Sequence, residues 1–186
     1  VRDDRGQAPK AVAAFQELAR DPDVVAILGP SSSGNAMAVR AIINEATLPQ
    51  FALVYGPALT KSDFAYFYRM SPALDTSNAA LLAAAQKKLG NGQKLATLSI
   101  SDAGGVEGAT DAANRAGQYG MTVVAQERYT VGDTDLTAQL ARIKASGATV
   151  LLSLTQGVST NAVVRGHVEG VFALGDRELA PRHGRE

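Results

Sequence analysis

The chain has 186 residues, enough for one or two small domains, and an apolar fraction of 46% is sufficient for a packed core. The chain has 18 lysine and arginine residues and 18 aspartate and glutamate residues, so its net charge is near zero. A net charge near zero does not indicate binding to nucleic acid or to an anionic membrane. The absence of cysteine excludes disulfide frameworks, thiolate metal sites and cysteine nucleophiles.

The first third of the chain alternates between helix and strand patterns, which predicts an α/β layer with a parallel sheet. A helix is expected from Pro9, because apolar residues follow it at helical spacing. The continuous apolar run at 24–28 predicts a strand that is covered on both faces. A second helix is expected to begin near Gly34, and a second strand to span 50–54.

The pattern restarts after an extended segment at 66–70 that ends with Ser71 and Pro72. We therefore expect a boundary between two lobes, with 1–72 in the first lobe and 73–169 in the second. The alternation of helix and strand patterns is lost in residues 170–186, which are therefore predicted to form an irregular, exposed tail. The elements expected in the second lobe are helix 76–89, strand 95–100, helix 107–119, strand 122–128, a capping turn at 132–135, a helix carrying Leu136, Leu140 and Ile143, strand 150–154 and a weaker helix at 160–168.

Ligands of open α/β sheets bind beyond the carboxyl ends of the strands. Three consecutive serines, Ser31 to Ser33, lie in the loop 29–34 at the expected start of a helix. Their hydroxyls, the unpaired N–H groups of the helix start and the helix dipole together favour a carboxylate or another anion. An ordinary capped turn between strand and helix explains the same spacing equally well. Three other loops fall at this edge, namely 53–56, 101–105 and 155–157.

Signatures of phosphate binding and serine hydrolysis are incomplete. A P-loop needs a lysine after Gly34, and a nucleophile elbow needs glycine where Ser33 stands. The two histidines, His167 and His183, both lie in the irregular C-terminal part and are expected on the surface. The sequence therefore predicts a binding protein without catalytic chemistry.

Acidic residues offer no catalytic pair or metal site by their spacing. Asp3 and Asp4 lack partners at ligand spacing and are expected to be solvated charges at a strand end. Asp102 and Glu107 flank two glycines and are expected to cap a helix rather than to form an acid–base pair. No metal ion or other cofactor is predicted.

Five segments follow one another in a recognisable order and spacing: 1–12, 27–34, 57–60, 68–72 and 132–136. Together they resemble the leucine/isoleucine/valine-binding proteins of branched-chain amino-acid ABC importers, and the resemblance runs over roughly residues 1–165. It implies an α/β fold of the type 1 periplasmic-binding-protein kind, with parallel sheets flanked by helices in two lobes that close over a ligand. It also implies that family elements would precede Val1 and follow about residue 170, so that the fold would be incomplete at both ends.

The resemblance also assigns a ligand site. Ser33 matches the family serine that holds the ligand carboxylate, but the second loop lacks the family's threonine, and the loop at 102–106 lacks its aromatic residue. These departures retain a carboxylate site and favour a bulkier or non-amino carboxylate, such as an aromatic acid, at least as well as a branched-chain amino acid. The implied ligand-binding residues are Ser31, Ser32, Ser33, Val54, Tyr55, Gly56, Gly104, Gly105 and Gln156.

Two arrangements of Ser33 are distinguishable in a structure. In the first, which we expect, its hydroxyl points into a cleft and is free to bind a carboxylate together with neighbouring N–H groups. In the second, Ser33 turns inward and caps its own helix, with no cleft above it.

The function implied by the resemblance is that of a periplasmic or otherwise extracytoplasmic solute-binding component, whose partner is the membrane permease of an ABC importer. Two alternatives remain at this point: a ligand-sensing domain of a receptor or regulator, and an inactive truncated fragment. A partial fold would expose a sheet edge and apolar surface, which predicts a homodimer, swapped elements or aggregation.

Overall fold

The computed structural model describes residues 1–60, 64–130, 132–154, 160, 161 and 163. Gln156 and the expected tail lie outside the described residues, as does most of the expected helix at 160–168. Short 3₁₀ turns span Pro57–Thr60 and Ala116–Tyr119. The other elements are α1 (Ala8–Arg20), β1 (Ile27–Leu28), α2 (Ser33–Glu45), β2 (Gln50–Ala52), β3 (Phe67–Arg69), α3 (Leu74–Leu89), β4 (Gln93–Ile100), α4 (Ala103–Arg115), β5 (Met121–Tyr129), α5 (Thr137–Ala145) and β6 (Val150–Leu154).

The strands form two separate parallel sheets of three strands each. The first sheet has the order β1-β2-β3, and the second has the order β5-β4-β6. The prediction of parallel sheets flanked by helices is confirmed. Among the described residues, no helix is both long enough and apolar enough to cross a lipid bilayer.

The first sheet is covered on one face by α1 and α2. Phe15 of α1 and Ile43 of α2 pack with Ile27 of β1 in one buried cluster. A second cluster joins Ala36 of α2 to Ala52 of β2. Burial of these apolar side chains stabilises the layer and fixes α2 above the carboxyl ends of β1 and β2.

The opposite face of the first sheet is exposed within the described part of the chain. Leu28 is 81% exposed and Met70 is 59% exposed, while the rings of Phe51 and Tyr68 stack with centroids 5.2 Å apart. The expectation that the run at 24–28 forms a strand covered on both faces is therefore wrong. The two residues of β1 alternate, with Ile27 on the buried side and Leu28 on the exposed side.

The second sheet has helices on both faces. Ala96, Leu98 and Ile100 of the central strand β4 pack against α5. Leu95, which points to the other side of β4, packs against α3 and α4. Leu95, Ala96, Leu98 and Ile100 place apolar side chains on both faces of β4, and the sequence located this strand to within two residues.

The helix α4 begins four residues earlier than expected, at Ala103 rather than near Glu107. The Oδ1 atom of Asp102 accepts a hydrogen bond from the Gly105 N–H at 2.8 Å and caps the helix, as its sequence position predicted. Gly105 packs directly on Ile100, where a methyl group would lie 2.7 Å from Ile100 Cγ2 and overlap the carbonyl oxygen. The two glycines therefore form the first turn of a helix and not a loop.

Two other groups of acids have structural roles. Asp4 is half-buried, and its carboxylate accepts hydrogen bonds from the Gly6 N–H and the Asn35 side chain, both at 2.8 Å. The expectation that Asp4 is a solvated charge is therefore wrong, because it ties the N-terminal segment to α2. In the turn before α5, Asp135 accepts a hydrogen bond from the Thr137 N–H at 2.9 Å, but the N-cap position is Leu136 and no side chain caps the helix there, so the expected cap is not formed. Hydrogen bonds from Thr137 lower the pKa of Asp135.

The contact between Gly105 and Ile100 can be tested by adding one methyl group. Gly105→Ala should lower the free energy of unfolding by about 1–3 kcal/mol, because neither the helix nor the strand backbone can move away cheaply. Gly117→Ala is the matched control, since a methyl group there meets no atom within 4 Å and should change stability by less than about 1 kcal/mol. Urea unfolding followed by circular dichroism measures both. Equal midpoints for the two variants would contradict the packing described.

Candidate functional site

The starts of α2 and α4 meet beyond the carboxyl ends of the strands. A methyl group on Gly104 would lie 2.5 Å from Ser33 Oγ, and one on Gly34 would lie 3.3 Å from the Cβ of Asp102. Residues without bulky side chains thus allow the two helix starts to touch. This contact brings together the first and third of the sequence-predicted loops.

Ser33 lies inside this contact and is only 1% exposed. Its Oγ accepts hydrogen bonds from the N–H groups of Tyr55 and Gly56, both at 3.2 Å. The expectation that Ser33 points into an open cleft with a free hydroxyl is therefore wrong for this structure. Because both lone pairs of the hydroxyl are engaged, its remaining capacity is to donate its single hydrogen.

The neighbouring serines have different roles from Ser33. Ser32 is the cap of α2, since its Oγ accepts from the Asn35 N–H at 3.3 Å. The alternative in which Ser33 caps its own helix is thus not observed either. Ser32 Oγ also donates to Asp102 Oδ2 at 3.4 Å, and Ser31 is exposed. The structure places all three serines at the start of α2 or just before it.

The second predicted loop, 53–56, is held by hydrogen bonds to its backbone, and its exposed side chains are those of Leu53 and Tyr55. Val54 is fully buried in the core of the first sheet, so its side chain is not available to a ligand, whereas Tyr55 is 39% exposed. Gly56 is buried beside Ser33. The carbonyl oxygens of the loop accept hydrogen bonds from Ser71 Oγ, from Leu74 N at 3.1 Å and from Arg69 Nη1 at 3.4 Å. Sequence reasoning missed Arg69 and Ser71, because nothing in their local pattern shows that they fold back on this loop.

The predicted site residues of α4 separate into one that faces the site and one that does not. Both Gly104 and Gly105 are buried. Gly104 faces Ser33, whereas Gly105 is covered by Ile100 and cannot line a cleft. The assignment of Gly105 as a ligand-binding residue stays a prediction, and Gln156 lies outside the described residues.

Glu107 is a site residue whose role sequence reasoning missed. It is half-buried, and its Oε2 accepts a hydrogen bond from the Ala58 N–H at 3.4 Å. A methyl group on Gly56 would lie 3.2 Å from the same oxygen. The expectation that Glu107 caps a helix is wrong, because it lies in the second turn of α4. The available signal was its spacing of three residues from Gly104, which places both on one face of the helix.

A separate cavity of about 290 Å³ lies beside β1, and none of the predicted site residues lines it. It is bounded by the N-terminal segment on one side and by Phe15, Leu18 and Ile27 on another. Within the described residues, no group of three or more histidine, cysteine, aspartate or glutamate side chains could hold a metal ion.

Comparisons with known proteins give consistent results. The family model described as periplasmic binding protein matches residues 1–166. A solute-binding protein of an ABC transporter from Rhodopseudomonas palustris, solved in complex with 4-hydroxybenzoate, is 25% identical, with a TM-score of 0.74 over 88% of this chain and 45% of that chain. A leucine-binding protein from Thermotoga maritima is 20% identical, with a TM-score of 0.81 over 91% of this chain and 48% of that chain. A search of curated protein sequences finds no match.

A third structure, a type 1 periplasmic binding protein from Bordetella pertussis, is 23% identical and has a TM-score of 0.78 over 90% of this chain and 46% of that chain. The chain thus spans about half the length of the structures that it resembles. The family model matches residues 1–166, which is most of the chain. The structure of the chain also superimposes on that of a type 1 periplasmic binding protein. The chain belongs to the periplasmic binding protein family and has its two-lobed, type 1 fold.

Proposed function

We propose that this chain is part of a solute-binding protein of an ABC importer, and that it binds a small carboxylate between its lobes without catalysing a reaction. In this proposal, 1–72 belong to the first lobe and 73–169 to the second. The family implies an extracytoplasmic location, and the protein partner is the importer's membrane permease. The observation that carries the proposal is the start of α2, where Ser33 presents a hydroxyl hydrogen beside the contact between the lobes.

The donors at the start of α2 favour an anion. Within the described contacts, the N–H groups of Ser33 and Gly34 have no acceptor, and they lie at the positive end of the helix dipole. The Ser33 hydroxyl accepts from Tyr55 and Gly56, which orients its hydrogen for donation. A carboxylate that enters between α2 and α4 would meet two N–H groups and one hydroxyl. These three donors can form hydrogen bonds to the two oxygens of a single carboxylate.

The ligand class that we propose is an aromatic carboxylate, with branched-chain amino acids as the other candidate. Two structurally similar proteins from R. palustris were solved with 4-hydroxybenzoate and 3,4-dihydroxybenzoic acid, while another relative is a leucine-binding protein. Tyr55 is the partly exposed aromatic side chain of the second loop and can stack on a ring. Gly104 leaves space for a flat group once the two helix starts separate.

Removal of the Ser33 hydroxyl tests the carboxylate site. Ser33→Ala should weaken binding of 4-hydroxybenzoate by about 10- to 100-fold, because a hydrogen bond to a charged group contributes roughly 1.5–3 kcal/mol. Isothermal titration calorimetry measures the affinity. Ser77→Ala on α3 is the matched control and should bind as the unchanged chain does.

Ser33→Ala also leaves the N–H groups of Tyr55 and Gly56 without their acceptor, so thermal unfolding must be recorded with the titrations. A folded Ser33→Ala variant that binds as tightly as the control would contradict the assignment of Ser33.

We also propose that the chain forms a homodimer through the exposed face of the first sheet. Leu28, Leu53, Tyr68 and Met70 expose apolar surface there, and such a face favours association. Met70→Glu should shift the chain towards the monomer in sedimentation velocity, because a charge on this face would be costly to bury. Leu81→Glu, at a residue that is 52% exposed on α3, is the matched control and should leave association unchanged. A monomeric unchanged chain at micromolar concentration would contradict the dimer.

A further inference from the structure

Gln50 is a polar side chain at a position of the core where apolar residues surround it. It begins β2, is fully buried and pairs in register with Ile27 of β1. Ala52, two residues further along the strand, lies on the same side and belongs to the apolar core. Gln50 Oε1 has no hydrogen-bond partner among the described residues, which is unfavourable for a buried polar atom. Packing alone therefore does not account for a glutamine at this position.

The amide nitrogen of Gln50 holds the first loop at the point where the chain leaves β1. Gln50 Nε2 donates a hydrogen bond to the carbonyl oxygen of Gly29 at 2.9 Å. The Gly29 N–H donates to the carbonyl oxygen of Phe51 at 2.7 Å. Gly29 has a φ of +116°, which residues with side chains rarely adopt. Two neighbouring residues of β2 thus hold both backbone polar groups of Gly29 and fix the direction in which the loop starts.

Ser32 holds the other end of the same loop. Its Oγ accepts from the N–H of Asn35, the third residue of α2. A serine that caps a helix accepts from either the second or the third residue. The second residue is Gly34, where a methyl group would lie 3.7 Å from Ser32 Oγ. The choice of Asn35 leaves the Gly34 N–H available to a ligand carboxylate.

The segment between these two ends depends on them for its orientation. Within the described part of the chain, Pro30 and Ser31 form no hydrogen bonds. Without the bond from Gln50, the carbonyl of Gly29 is free to turn, because Gly29 is only half-buried. Ser32 then gains freedom to turn its hydroxyl oxygen from the Asn35 N–H to the Gly34 N–H.

We propose that Gln50 is a positioning residue for the carboxylate site. It acts through Gly29 and the first loop to keep Ser32 bonded to Asn35, so that the Gly34 N–H stays free for the ligand. This inference rests on the proposed function, since it deepens the site at the start of α2. The effect is partial, because the second loop holds Ser33 independently.

The donor of Gln50 can be removed while the size of the side chain is kept. Gln50→Met, with Gln50→Leu as a second variant, should bind 4-hydroxybenzoate about 3- to 10-fold more weakly in calorimetric titration, which corresponds to one neutral hydrogen bond. The Tm should be unchanged or higher, since the unpartnered Oε1 is also removed. A purely structural role for Gln50 predicts the opposite, with a lower Tm and an unchanged affinity.

The matched control removes a similar hydrogen bond away from the site. Gln139 Nε2 donates to the carbonyl oxygen of Arg128 at 3.3 Å beside the second sheet, and Gln139→Met should bind as the unchanged chain does.

Hydrogen exchange separates this proposal from the proposed function, because it needs no ligand. The Asn35 N–H should exchange faster in Gln50→Met than in Gln139→Met, since Ser32 no longer bonds to it continuously. Equal exchange at Asn35, or equal measurable affinity of these two variants, would overturn the proposal. Faster exchange together with no binding of 4-hydroxybenzoate by any chain would support the effect of Gln50 on the loop and count against the proposed function.

Discussion

The Ser33 hydroxyl connects the parts of the first sheet from which the site is built. It belongs to the first turn of α2, yet it accepts both hydrogen bonds from the N–H groups of Tyr55 and Gly56 in the second loop. The carbonyl oxygens of that loop are in turn held by the segment that leads to α3. A change in the position of Ser33 would therefore move the second loop, and the two loops act as one unit.

The contact between α2 and α4 depends on the absence of a side chain at Gly104. Any larger residue would overlap Ser33 and keep the helix starts apart. The glycine therefore permits the close contact between the starts of α2 and α4. Hydrogen bonds from Ser32 Oγ to Asp102 and from the Ala58 N–H to Glu107 also join the two sides of this contact.

The sequence predicted the order of the elements well, because strands such as β4 carry apolar residues for both faces between turn residues and the helices carry apolar residues at helical spacing. The resemblance of five segments to a known family predicted the type of fold. Several features were missed because they depend on contacts between distant segments. Examples are the burial of Ser33 by Gly104, the reach of Glu107 to Ala58 and the exposed side of β1 at Leu28.

Binding of a carboxylate at the start of α2 can be followed through the amide chemical shifts of a ¹⁵N-labelled chain during titration with 4-hydroxybenzoate, with 4-hydroxybenzamide as the neutral comparison. The N–H resonances of Ser33 and Gly34 should show the largest shifts. The amide compound should produce much smaller ones, since it lacks the charge that the helix start favours. Shifts confined to Phe15, Leu18 and Ile27, beside the separate cavity, would contradict it.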